Sequence, residues 1–557
     1  MALRTQLIVA FGAACWPFWA AAQSAVWTGH YDNFRTGSNT SETILNPQSV
    51  RSPQFGKLAR LPIRGCPFSQ PLYVPGVPSA GRVRNLVFIA TTTNFIYAYD
   101  ADDYTLAWSA NYGVPFPSAI VDPDQGYFDF LDCDQDDNNG NSGPIGIVGT
   151  PVIDVAAQAL YFVANTSDDA QNYYHVLHKI SLRDGSDVLP PVIISGSYQN
   201  VPFQSRYQLQ RTGLLLLNGH IYIAFASHHD ETPYYGWLFS YDTNLQQTAL
   251  MNYSPNAWGA GIWQSGGGPA SDGQYIYLNT GNGDEGLADA TANSESILQI
   301  DPITLQVVAK TSFYPEEDDW DWNVDLDLGA SRVMVMPGTN RVISGSKYGD
   351  LFSVNQNGMT LEVRQQAARH SDGLDWTGIY NGFAYWNGIT YVWPGGGGLQ
   401  YGPAPPFPVD YLKAFALTPD FSQLNLLASG ESEGTGAGYQ GASLAISANG
   451  DDPASGIVWA ATPALSTLGL QPGYLHAYSA SDFSGGVFHE LWNNLNDPVD
   501  GGCNLAKFNQ PLIANGKVFL PTFSDRVLVY GLRGSHPERR GAPLGLSNCL
   551  PITTQEP

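Results

Sequence analysis

Between Gly259 and Leu351 the chain reads GAGIWQSGGGPASDGQYIYLNTGNGDEG (259–286), EEDDWDWNVDLD (316–327) and VISGSKYGDL (342–351). Short runs rich in Val, Ile, Leu and Tyr alternate with turns of Gly, Asn, Asp and Pro, the signature of strands rather than helices. The polar pieces are a Trp after a Gly-rich turn, an Asn in Thr-Gly-Asn-Gly, a carboxylate cluster and a Lys. That alternation predicts a site assembled from loops at one end of several short sheets.

The same grammar extends outward in both directions. A strand ending in a small polar or acidic residue before a turn recurs as NFIYAYDADD (94–103), HVLHKISLRDG (175–185), GWLFSYDTN (236–244), SILQIDPIT (296–304), GDLFSVNQNG (349–358), DYLKAFALTPD (410–420), GYLHAYSASD (473–482) and DRVLVYGL (525–532). A further strand precedes most copies, as LNGHIYIAFAS precedes GWLFSYD. The spacing, about 50 to 80 residues, exceeds the roughly 40 to 50 of compact propeller repeats and leaves room for loop insertions. Eight copies of a four-stranded unit predict an all-β, eight-bladed β-propeller over residues 23–532. One such unit buries too little apolar surface alone, so the ring should behave as one domain. Closure also hides the sheet edges.

The first 22 residues read as a secretory leader: Arg4, a short apolar core from Leu7 to Ala21 broken by Pro17, and a small-residue Ala20-Ala21-Ala22 cleavage signal. No later window approaches the roughly 18 uninterrupted apolar residues of a membrane helix. These features predict a secreted or periplasmic protein without a membrane span. Residues 533–557, rich in Pro, Gly and Arg, read as a C-terminal tail. Acidic residues outnumber basic ones 50 to 25, which excludes nucleic acid and anionic membrane surfaces as partners. An anionic ligand would need a local cation or a metal. After loss of Cys15 the chain keeps Cys66, Cys133, Cys503 and Cys549, an even number that allows two disulfides. Cys66 and Cys503 each precede a Gln-Pro-Leu strand start, at the first and last sheets of a closed ring, which favours Cys66–Cys503.

Repeats of this form resemble the pyrroloquinoline quinone (PQQ) repeat propellers, which include the quinoprotein alcohol dehydrogenases. The resemblance spans nearly the whole mature chain and is sharpest between His228 and Leu351. It implies that Trp263 forms the aromatic floor under the quinone, as a flat conjugated ligand requires. Asn282 and Glu231 take the positions of the metal-binding Asn and Glu, hard oxygen donors suited to calcium. Asp321, in Asp319-Trp320-Asp321-Trp322-Asn323, takes the place of the catalytic base and third metal ligand, and Lys347 that of the cation paired with quinone oxygens. Asn323 stands where some members carry an extra metal-binding Asp, which favours calcium over a lanthanide. The implied function is a PQQ- and calcium-dependent dehydrogenase that oxidises an alcohol or sugar and passes electrons to a separate acceptor, because no fused cytochrome or Cys-x-x-Cys-His is present. The chain departs from the pattern at Cys133, a single Cys where the family's alcohol dehydrogenases often carry an adjacent pair that lids the quinone.

Each residue also has a plain reading: Trp263 as blade packing, Asn282 as an Asn-Gly turn, Glu231 and Lys347 as solvated loop charges, and 319–325 as an acidic or structural calcium loop. Asp132–Gly140 offers a second acidic loop. Two other functions stay open, a non-catalytic propeller serving as a binding or assembly module, and a carbohydrate-active lyase or hydrolase using His, Tyr and Asp residues such as the adjacent His228 and His229; His370 is a further polar residue expected at a blade edge. The sequons at Asn39, Asn165 and Asn252 would be surface glycosylation sites in a eukaryotic secretory pathway. Hydrolase nucleophile-elbow, Walker and His-Glu-x-x-His motifs are absent.

Overall fold

The structure is a computed structural model that describes residues 24–117, 143–168, 172–228, 233–283, 293–313, 327–368, 378–395, 409–430, 437, 440–463, 473–495 and 504–534. It is an eight-bladed β-propeller. Blade 1 comprises Leu72–Ser79, Arg82–Ala90, Phe95–Asp100 and Leu106–Asn111, hydrogen-bonded in that order from the axis outward. Blades 2 to 7 repeat the plan, with third strands at Asn172–Ser181, Trp237–Asp242, Ser296–Ile300, Asp350–Asn355, Lys413–Leu417 and Gly473–Ser479. Blade 8 takes Leu512–Ala514, Lys517–Thr522 and Arg526–Leu532 from the end of the chain and its outermost strand, Phe55–Pro62, from the beginning. The antiparallel pairing of Phe55–Pro62 with Arg526–Leu532 closes the ring.

The recurring sequence pattern is therefore the third strand of every blade. In blades 1, 3 and 4 a terminal carboxylate caps the turn that follows: Asp100 accepts from the N–H groups of Asp102 and Asp103, Asp242 from Asn244 and Gln246, and Asp301 from Ile303 and Thr304. Such side-chain-to-backbone bonds are why Asp and Asn dominate these positions. The same turns hold Leu245, Leu305 and Met359 at positive φ with their side chains buried. Each such left-handed residue costs on the order of 1 kcal/mol, offset by apolar burial under the blade.

Apolar faces of adjacent blades pack on one another around the ring. Leu72, Leu86 and Phe88 of blade 1 meet Ile153, Leu160 and Phe162 of blade 2. Trp459 and Leu475 of blade 7 join Phe519 and Val529 of blade 8 and Val87 and Tyr99 of blade 1 across the closure.

A segment without regular pattern in the sequence, Val26–Asn39, runs along the axis and satisfies the free edges of the innermost strands. Val26 exchanges backbone hydrogen bonds with Tyr73 of blade 1. The carbonyls of Trp27, Asn33, Phe34, Thr36 and Gly37 then accept from Ile153, Ser271, Val335, Tyr385 and Ile446, on blades 2, 4, 5, 6 and 7. Blade 3 is reached by Asn33 Nδ2 to Leu216 O, and blade 8 by Asn39 Nδ2 to Ile513 O and Tyr31 O–H to Pro511 O. An inner strand presents unpaired N–H and C=O groups to the axis, and burying them without partners would be costly. This strap supplies the partners on every blade.

Two fully buried arginines fasten the strap. Arg35 donates to the carbonyls of Gly29, Leu214 and Pro269 and to Thr28 Oγ1. Arg332 donates to the Arg35 and Phe383 carbonyls and to Asn381 Oδ1. With Arg211 they explain the Gly266-Gly267-Gly268 run. A Cβ at Gly266 would stand 2.0 Å from Arg211 Nη1, at Gly267 2.6 Å from Arg332 Cβ, and at Gly268 2.6 Å from Arg35 Nη2. Burial among these cations leaves His30 neutral, its pKa well below the ordinary value through desolvation and then the charges of Arg332, Arg35 and Arg211.

The sequon expectation is corrected: Asn39, Asn165 and Asn252 are 7%, 1% and 1% exposed. All three are strand residues, and the Asn39 amide nitrogen is already bonded to the Ile513 carbonyl. A glycan cannot be accommodated there in the folded chain. Cys66 is buried and disulfide-bonded; Cys133, Cys503 and Cys549 lie outside the described residues, so the Cys66–Cys503 expectation does too. Among the described residues no helix is long and apolar enough to cross a membrane.

Candidate functional site

Antiparallel order fixes which loops share a face. In each blade the link from second to third strand, and the link from the outermost strand to the next blade's innermost strand, fall at the same end. Asn282 and Lys347 follow the second strands of blades 4 and 5, and Trp263 lies on the link from blade 3 to blade 4. Positions 231 and 321 belong to links of the same two kinds in the sequence, but Glu231 and Asp321 lie outside the described residues. So do Asn323, Asp132–Gly140, His229 and His370.

The links are stitched together by their backbones. Gly236 N–H donates to Gly259 O, Ala260 N–H to Asn282 O at 2.6 Å, and Gly281 N–H to Gly261 O at 3.0 Å. The Trp263 approach is thereby paired on one side with the end of the blade 3 loop and on the other with the Thr280–Gly283 turn. That turn packs in turn on residues 327–330: a Cβ on Gly329 would stand 2.5 Å from the Gly281 nitrogen and Cα. Asp327 then meets Lys347, Nζ to Oδ2 at 2.5 Å, with side chains 11% and 12% exposed for Lys347 and Asp327. A polar relay behind these loops fixes them further. Gln264 Nε2 donates to Asn279 Oδ1, and Asn279 Nδ2 donates to Leu328 O and Ser344 Oγ. Leu328 N–H donates to the fully buried Glu295 Oε2 at 2.8 Å.

Trp263 is partly buried. It forms a T-shaped contact with Phe508 of the link into blade 8, with centroids 5.2 Å apart and planes at 85°. Phe508 lies 5.6 Å from Tyr380, and Lys507 Nζ sits 5.2 Å from the Phe508 centroid. On its other side Trp263 borders the cluster of Cys66, Phe68, Phe116 and Phe523. Lys347 adjoins this aromatic group, because a Cβ on Gly378 would stand 2.9 Å from Lys347 Cα and 3.0 Å from Tyr380 Cε2.

The structure thus brings the Trp263, Asn282 and Lys347 loops into one continuous array. His228 is nearly fully buried, its ring 6.2 Å from Phe116. His175 is boxed by Phe116, Phe203 and Phe225, and desolvation drives its pKa well below the ordinary value. Imidazoles buried inside aromatic packing do not offer the exposed base a lyase needs. Among the described residues no group of three or more His, Cys, Asp or Glu side chains is placed to hold a metal. The donor chemistry nonetheless suits a planar anionic ligand with a hard cation: a half-buried carboxamide on Asn282, an ammonium on Lys347 and a partly open indole. Sequence reasoning missed Asp327, Glu295, Tyr380 and Phe508. The Gly281 and Gly329 positions were the available signal for Asp327.

No protein-family model and no curated sequence matches the chain. Solved structures share its fold. The chain is similar to a quinohemoprotein alcohol dehydrogenase from Pseudomonas putida HK5 (TM-score 0.57, 13% identity, covering 93% of this chain and 82% of that one). It is equally similar to the quinohemoprotein alcohol dehydrogenase of Comamonas testosteroni (0.57, 13%, 92% and 82%). A europium-containing methanol dehydrogenase also matches (0.51, 12%, 88% and 87%). At these identities the likeness shows the architecture.

Proposed function

We propose that the chain is a secreted or periplasmic dehydrogenase that uses PQQ and calcium to oxidise an alcohol or sugar and hands the electrons to a separate acceptor. The observation that carries this reading is the continuous loop array joining Trp263, Asn282 and Lys347 on one face of the ring. The likeness of the fold to alcohol and methanol dehydrogenases supports it. In this reading Trp263 lies under the planar ligand and Lys347 donates to its carbonyl or carboxylate oxygens. Asn282, with Glu231 and Asp321, would hold calcium through hard oxygens. Bound there, the quinone would supply the hydride-accepting carbon. Asp321 accepts the hydroxyl proton of the substrate, the ordinary task of a carboxylate within hydrogen-bond reach. The aromatic wall of Phe508 and Tyr380 keeps the floor apolar, which strengthens every charged contact above it.

Reconstitution tests this directly. The mature chain is mixed with PQQ and calcium, quinone absorbance is followed by titration, and dye-linked oxidation of a panel of alcohols and sugars is assayed. Stoichiometric uptake with turnover is expected, and Asp321→Asn should retain uptake while losing turnover. A chain that takes up no PQQ with calcium present is not this enzyme.

A further inference from the structure

Resting on that reading, we propose that Asp327 is a positioning residue of the same site, one that holds the Lys347 ammonium beside the aromatic floor and aims it at the ligand. A lysine stem is long and freely rotating, so an ammonium that must meet one oxygen needs a partner to fix it. Asp327 is built for that task. Its Oδ2 stands 2.5 Å from Lys347 Nζ, and its carbonyl accepts the Lys347 N–H at 3.4 Å, so both ends of the lysine are tied to one residue.

Asp327 is itself immobilised. Its Oδ1 lies 3.0 Å from the place a Cβ would occupy on Gly281 and on Gly329, so the carboxylate is cradled between two glycine backbones. Leu328, the next residue, is held at both its polar groups, N–H to Glu295 and C=O from Asn279. The cradle includes Gly281, neighbour of Asn282, so the acid ties the metal-side turn of blade 4 to the lysine of blade 5. An ion pair acting only as a brace between blades would not need its lysine to spring from backbone packed beside Tyr380 through Gly378, the ring that adjoins Phe508 and, through it, Trp263. Removing one partner of so enclosed a pair leaves the other charge without its fixed geometry.

The test is PQQ binding by absorbance titration, in calcium, to the wild-type mature chain and to Asp327→Asn, Lys347→Gln, the double variant and Asp327→Glu. In the ligand-free chains the rate of reductive methylation at Lys347 is read by mass spectrometry. Asp327→Asn and Lys347→Gln should each weaken PQQ affinity at least about tenfold, the double variant should be no worse than either, and Asp327→Glu should recover part of the loss. Lys347 should methylate several-fold faster in Asp327→Asn than in the wild type. Wild-type affinity in Asp327→Asn, multiplying losses in the double variant, or unchanged methylation would overturn the assignment. If Asp327→Asn does not fold, Asp327→Glu decides by the same readouts, because a displaced carboxylate should still lower affinity and speed methylation. A wild type that takes up no PQQ removes the functional reading and this inference together. One that binds while Asp327→Asn binds equally removes only the inference.

Discussion

Gly267→Ala probes the axial packing where one atom decides the outcome. The backbone at Gly267, φ −59° and ψ 163°, suits alanine, so no conformational strain is added. The new methyl would stand 2.6 Å from Arg332 Cβ, 2.9 Å from Arg332 Cδ and 3.1 Å from Gln264 O. Arg332 cannot swing aside, because its guanidinium is held by Arg35 O, Phe383 O and Asn381 Oδ1. Overpacking of this kind costs about 1–3 kcal/mol, and a rigid neighbour argues for the upper half. Replacing glycine returns about 0.4–1 kcal/mol by restricting the unfolded chain, which leaves a net loss of about 1–2.6 kcal/mol. An unfolding entropy of about 2 cal/mol/K per residue makes that only about 1–2 °C in a ring of this size, so melting temperature is a blunt measure. Amide hydrogen exchange is sharper. Arg332 pins the strap where Tyr385 N–H donates to Thr36 O and Val335 N–H to Phe34 O. Exchange at Tyr385 should quicken roughly tenfold for each 1.4 kcal/mol of lost local stability, while Tyr73 on blade 1 stays as in the wild type. Gly273→Ala serves as the control, since its added methyl meets nothing within 4 Å and only its φ of +93° is strained. Equal exchange at Tyr385 in Gly267→Ala and wild type would refute the claim that the glycine run exists to admit the arginines.

Three other outcomes follow from the same geometry. A chain beginning at Glu42 orphans inner-strand N–H groups on blades 1, 2, 4, 5, 6 and 7, each worth about 1–3 kcal/mol. Together these reach about 6–18 kcal/mol, as large as a typical folding stability of about 5–15 kcal/mol, so near-ultraviolet circular dichroism should show no fixed tertiary structure until a peptide spanning residues 24–41 is added. Acidification should destabilise the fold through His30, His175 and His178, whose pKa values are all lowered, first by desolvation. Below pH about 6.5 the unfolded chain binds protons that these folded imidazoles refuse, so each steepens the loss by up to about 1.4 kcal/mol per pH unit. His175→Phe, set among Phe116, Phe203 and Phe225, should flatten denaturant midpoints between pH 6.5 and 5 by one such increment. Expression in a glycosylating host should yield folded protein with Asn39, Asn165 and Asn252 unmodified by peptide mapping, and a glycan on any of them in native protein would contradict their burial.

The blades were legible because the information that specifies them is local. A third strand such as GWLFSYD carries its own turn cap in Asp242, and a polar side chain caps the same turn at Asp100, Ser181, Asp301, Asn355 and Ser479. Trp263, Asn282 and Lys347 were legible as types in a register, since the loops that carry them are set by strand order. What was hidden depends on partners far away in sequence. Val26–Asn39 has no period because its carbonyls answer to six different inner strands, whose needs exist only once the ring has closed. Gly266-Gly267-Gly268 reads as a flexible turn until Arg35, Arg211 and Arg332 arrive from three separate parts of the chain. Asp327 is one acid in a run of many, and nothing in EEDDWDWNVDLD marks it. What distinguishes it is the backbone approach of Gly281 to Gly329, a contact between blades. The sequons fail for the converse reason, since a local tripeptide carries no record of burial. Strand order thus assigns residues to a face of the ring. Contacts between blades, which pair Lys347 with Asp327 beside Tyr380, decide which of them can act on one ligand.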